Sequence, residues 1–144
     1  MHQWDEIKIE FKSDGSLRDI YVENIEVFEW DNFLDFLRSS KYKLKFSHGE
    51  QSIEIPESFG LIRELQGTEP TTLFIWLNDN IQLNCHFFIS NEIELDLSPY
   101  DFNHESEYLT LIEFLESLSA ALKKKVILTH EGMQEQIILS ITNY

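Results

Sequence analysis

Residues 43–55 read KLKFSHGEQSIEI, and residues 126–139 read VILTHEGMQEQIIL. In each, two runs of alternating apolar residues flank a His-Gly-Glu or His-Glu-Gly corner. Alternation with period two is the signature of a half-buried strand, and glycine supplies the positive φ that a tight corner needs. Both stretches therefore predict β-hairpins. The histidines and glutamates could be read as nitrogen and oxygen ligands if the two corners met. Zinc needs three or four convergent ligands, however, and nothing local brings His48, Glu50, His130 and Glu131 together. The reading taken is two turns and no metal.

Working outward, each hairpin follows an amphipathic helix. FEWDNFLDFLRSS (28–40) spaces Trp30, Phe33, Leu34 and Leu37 at helical intervals, with Asp31 near the helix's positive end and Arg38 near its negative end. A longer helix from about Ser106 to Leu122 carries Tyr108, Leu111, Ile112, Leu115, Leu118 and Leu122 on one stripe, and three lysines close it. Ahead of each helix lies a further candidate hairpin. In the first, Ile7, Ile9 and Phe11 alternate with charged residues, SDGS turns, and Arg18 to Val22 leads back. In the second, Ile81, Leu83, Cys85 and Phe87 alternate, SNE turns, and Ile93, Leu95 and Leu97 alternate with Glu92, Glu94 and Asp96.

The two halves thus share a β-β-α-β-β order. A shift of 78 residues superposes the helices and a shift of 82 superposes the corners. The difference is about one helical turn. The expected organisation is one domain over 1–144, with pseudo-repeats at about 5–56 and 80–141 and a linker at 57–79 holding a short helix and a strand. The expected fold is α+β: a largely antiparallel, curved sheet of eight or nine strands, with two main helices on one face.

Charge limits the function classes. The chain carries 26 acidic and 11 basic side chains, for a net charge of −15. Between Phe46 and Leu122 there are fourteen acids and a single base, Arg63. A field of this sign repels nucleic-acid backbones and anionic membranes and attracts basic proteins. Cys85, the lone cysteine, excludes an intramolecular disulfide and fits a reducing compartment. The start, MHQWDEIKIE, has no apolar run of signal-peptide length, so a cytoplasmic location is expected.

Catalytic constellations are missing too. Cys85 and His86 are neighbours on a strand and point to opposite faces. His104-Glu105 reads as a helix opening, because position 108 is Tyr108 rather than a second histidine. No glycine-rich phosphate loop is present, and neither an enzyme nor a cofactor is expected. The linker strand TLFIWLN (72–78) is apolar on both alternations, so Phe74 and Trp76 are either buried on a second face or offered to a partner. The acids Asp79, Glu92, Glu94, Asp96, Asp101, Glu105 and Glu107 have no neighbouring lysine or arginine in sequence, and with Phe74 and Trp76 they form the candidate partner-binding set.

Size, acidity, the lack of a catalytic constellation, a single α+β domain and an aromatic-acidic surface together resemble the immunity proteins that bacteria encode beside polymorphic or contact-dependent toxins. The resemblance spans the whole chain and rests on general character, so no residue transfers by position. It implies an inhibitor that covers the functional surface of a basic toxin domain, often a nuclease. The alternative is a small-molecule-binding or enzymatic domain whose ligand lies between sheet and helices, lined by Tyr21, Trp30, His86 and Tyr108.

Overall fold

A computed structural model describes residues 2–144. Its first element departs from the sequence reading. Trp4–Ile7 is an α-helical turn (α1), continued as a 3-10 turn over Lys8–Phe11, where a strand was expected. The apolar residues satisfy both periods, and packing chooses the helical one. Ile7 and Phe11 are buried while Ile9 is 71% exposed. Trp4 packs on Phe11 and Tyr108, with ring centres 5.8 and 5.6 Å apart.

Arg18 closes this segment. It is 1% exposed and donates to the carbonyls of Glu10, Lys12 and Leu17 and to Ser16 Oγ, at 2.7 to 3.2 Å. One guanidinium thus satisfies the backbone acceptors left where the 3-10 turn ends. Asp14, 3.5 Å from Arg18, is held at a pKa of about 2, chiefly by hydrogen bonds from Ser16.

The remaining elements run β1 (Arg18–Glu23), α2 (Val27–Arg38), β2 (Lys43–His48), β3 (Gln51–Ile53), α3 (Phe59–Leu65), β4 (Thr71–Asn78), β5 (Ile81–Cys85), β6 (Glu92–Leu97), a 3-10 turn at Pro99–Asp101, α4 (Glu105–Leu122), β7 (Val126–His130) and β8 (Met133–Ile141). The eight strands form one antiparallel, curved and unclosed sheet in the order β3-β2-β4-β5-β6-β1-β7-β8. The fold class is α+β. The first half supplies β1-α2-β2-β3, without the leading hairpin expected of it, and the second supplies the full β5-β6-α4-β7-β8 order. The two sets interlock, with β1 seated between β6 and β7 and the β4–β5 hairpin set between β2 and β6.

Both main helices begin on capping boxes, Glu26 with Glu29 on α2 and His104 with Glu107 on α4. Lys123, left-handed at φ 53°, ends α4. The two helices pack against each other. Their predicted stripes are buried and merge with Ile20, Val22, Leu73, Ile75, Leu83, Cys85, Leu95 and Leu128 in one core. Every second residue of the central strands therefore faces the helices, and the residues between them form the opposite, open face.

Candidate functional site

Strand pairing orders the open face. Lys45, Phe74, Asn84, Asp96 and Asp19 lie side by side across β2, β4, β5, β6 and β1. The adjoining row carries Lys43, Trp76 and Gln82. The face changes character along these rows, from lysine through aromatic and amide to carboxylate. Lys43 Nζ lies 5.5 Å from the Trp76 ring and Lys45 Nζ 5.8 Å from the Phe74 ring, and the two rings stack at 6.0 Å. Phe74 and Trp76 are thus half-buried on the open face. The doubly apolar strand has the core on one side and a lysine-covered aromatic strip on the other.

The carboxylate end is held by amides, a hydroxyl and an imidazole. Asn84 Nδ2 donates to Asp96 Oδ1 at 2.8 Å, and Gln82 Nε2 donates to Asn84 Oδ1 at 2.7 Å. His86 Nε2 lies 3.4 Å from Asp96 Oδ2, and Thr72 Oγ1 lies 3.3 Å from His86 Nδ1. Asp19 Oδ2 accepts from Tyr21 Oη at 3.2 Å and from the Gly132 amide at 2.7 Å. Gln134 Nε2 donates to Glu23 at 3.0 Å and to Glu92 at 2.7 Å, so the β7–β8 corner reaches across to β1 and β6. Asp96 is only 8% exposed although it lies on the open face. The network of Asn84 and His86 replaces the water it lacks.

Burial, reinforced by the neighbouring acids, raises the pKa of Asp19 and of Glu94, and the carboxylate of Asp96 raises that of His86. Burial likewise raises Asp101. Groups held above their ordinary values bind more protons in the native chain than in the unfolded one. Their stabilisation is therefore present at low pH and lost as pH rises through the folded values. Asp14 and Glu107 are shifted downward, and their opposing effect falls below the ordinary carboxylate values of 3.8 and 4.5. The midpoint of thermal unfolding should be higher at about pH 5.5 than at about pH 8. His86→Gln, which removes the imidazole that Asp96 holds above its ordinary value of 6.5, should flatten that slope. A midpoint that climbs between the two pH values would contradict the assignment.

The predicted acids do not form one cluster. Glu92, Glu94 and Asp96 share the open face of β6, as their alternation implies. Asp79 is exposed in the β4–β5 turn, on a hollow of ≈ 280 Å³ that it shares with Lys41, Lys43 and Trp76. Asp101 is half-buried in a 3-10 turn, near the backbone N–H of Gln82. Glu105 and Glu107 open α4 in the helical layer, where Glu107 accepts the backbone amides of Asn103 and His104 and a bond from Ser106 Oγ that lowers its pKa. The group joining the β6 acids is instead Asp19 and Glu23 of β1, with Tyr21 between them. Their alternation with Ile20 and Val22 is visible in the sequence, but their partner strand is not.

The two histidine corners are turns, with Gly49 at φ 60° and Gly132 at φ 66°, and they lie toward opposite edges of the sheet. Each is tied down. His48 Nε2 lies 2.8 Å from the Leu65 carbonyl, and His130 Nε2 lies 2.7 Å from Glu10. Among the described residues no group of three or more His, Cys, Asp or Glu side chains is placed to hold a metal ion. Cys85 is buried in the core with its thiol pKa pushed up by desolvation, on the face opposite His86. Of the four residues considered as liners of an internal ligand site, Trp30 and Tyr108 belong to the core, whereas Tyr21 and His86 lie on the open face. The four do not converge.

Among the described residues no helix is long and apolar enough to cross a membrane. No protein-family model matches this chain, and no curated protein or solved structure matches it either.

Proposed function

We propose that the protein is an acidic, protein-binding inhibitor of the immunity type, acting in a bacterial cytoplasm by covering the functional surface of a basic toxin domain. One observation supports this most directly. Among the described residues, none of the five open-face carboxylates (Asp19, Glu23, Glu92, Glu94 and Asp96) is paired with a lysine or arginine, and His86 is the sole ionic partner of the group. Burial and mutual repulsion raise the free energy of such charges, and a cationic surface would relieve both. The stacked Phe74 and Trp76 beside them supply aromatic area of the kind that anchors interfaces.

The test begins with affinity capture from the source cells and mass spectrometry, to identify a basic partner. Association is then followed at low and high salt. Glu92→Gln with Glu94→Gln keeps the strand's shape while removing charge and leaves the anchored Asp96 in place. Association with the partner should slow about tenfold at low salt and converge on the parent rate at high salt. Rates unchanged at every salt concentration would remove this face from the interaction.

A further inference from the structure

The open face carries a charge order that the search for a foreign partner leaves unused: lysines on β2, aromatics and amides on β4 and β5, and carboxylates on β6 and β1. A surface of this kind is complementary to its own reversed image. The geometry points to a second copy of this chain as an occupant of the face, packed sheet to sheet about a two-fold axis that runs parallel to the strands between β4 and β5.

The charge pattern selects that axis. Rotation about it lays β2 of one copy over β6 of the other and β4 over β5, and each contact occurs twice. Lys45 then lies opposite Asp96 of the other copy, Phe74 opposite Asn84, and Trp76 opposite Gln82. An axis across the strands would instead set Lys43 and Lys45 over their own counterparts and the β6 acids over acids, which like charge disfavours. Packed sheets lie about 10 Å apart with strands nearly aligned, a gap that lysine and aromatic side chains from both sides can fill.

Area and net charge make the dimer weak. The four strands β2, β4, β5 and β6, about 4.8 Å apart and about six residues long, cover roughly 400 Å² per copy, below the ~800 Å² per partner of a standard stable interface. The net charge of −15 on each copy opposes association everywhere outside the matched strips. The expected state is a dimer populated at high concentration, which shields Phe74 and Trp76. This inference does not rest on the toxin-inhibitor reading, and its test uses no foreign protein.

The experiment is sedimentation of the full chain up to about 1 mM, paired with carbodiimide coupling of a mixture of isotope-labelled and unlabelled protein. Carbodiimide joins an amine to a carboxylate in direct contact. Within one chain Lys45 and Asp96 are three strand spacings apart, about 14 Å, so they cannot be joined intramolecularly. The expected result is a concentration-dependent dimer and mixed-isotope peptides that link Lys43 or Lys45 to the 92–97 segment. The exposed pair Lys43→Glu with Lys45→Glu should raise the dimer dissociation constant at least tenfold while its melting curve shows it still folded. A chain that stays monomeric throughout would overturn the inference and leave the face to a foreign partner. A dimer coupled through other segments, or one indifferent to the lysine reversal, would overturn it as well.

Discussion

Arg18→Met should cost the protein about 3 kcal/mol or more, because a hydrogen bond to a charged group contributes about 1.5–3 kcal/mol and this guanidinium makes several. Methionine retains most of the apolar stem but leaves the carbonyls of Glu10, Lys12 and Leu17 without the donor that now serves them. The damage should start locally. Residues 4–11 should lose hydrogen-exchange protection before the sheet does, and Trp4, which packs on Phe11 and Tyr108, should show a red-shifted emission. A urea midpoint within experimental error of the parent's would mean that water replaces the guanidinium without loss.

The second large effect belongs to Trp30. It is fully buried, stacks on Phe59 at 4.8 Å, contacts Phe87 and Phe33 at 5.3 and 5.8 Å, and donates Nε1–H to the Ile89 carbonyl at 3.2 Å. It joins α2, the start of α3 and the loop after β5. Trp30→Ala should destabilise by about 3–5 kcal/mol through lost burial and the cavity left behind. Trp30→Phe should cost distinctly less, since it keeps a ring against Phe59 and loses the hydrogen bond. Equal losses for the two variants, read from urea titrations, would show that the Ile89 contact rather than the packing dominates.

Much of the fold was legible because its elements announce themselves locally. The stripes of α2 and α4, the alternation on β5, β6 and β7, and the glycine corners of the outer hairpins each rest on a period that neighbouring residues fix. The N-terminal segment was not legible. Trp4, Ile7 and Phe11 fit a helix as well as Ile7, Ile9 and Phe11 fit a strand, and the choice is made by Tyr108 and Arg18, distant in sequence or unremarkable within it. The site divides in the same way. Glu92, Glu94 and Asp96 share a face because strand geometry requires it. Asp19 and Glu23 join them only because β1 pairs with β6, a fact of topology. Glu105 and Glu107 lie near the β6 acids in the chain, but the 3-10 turn at Pro99–Asp101 intervenes and they begin the helical layer.

The seat of β1 between β6 and β7 also sets a timetable for synthesis and folding. The strand leaves the ribosome before its partners, since both neighbours that complete its hydrogen bonding lie some seventy to more than a hundred residues later in the chain. Until they emerge, the nascent first half can close the β2–β3 hairpin and form α2, while Ile20 and Val22 stay exposed. Long-range antiparallel closure of this kind raises contact order and slows folding toward milliseconds to seconds. The acids of β1 would meanwhile keep the waiting segment charged and solvated, a protection that matters most before the molecule has a sheet at all.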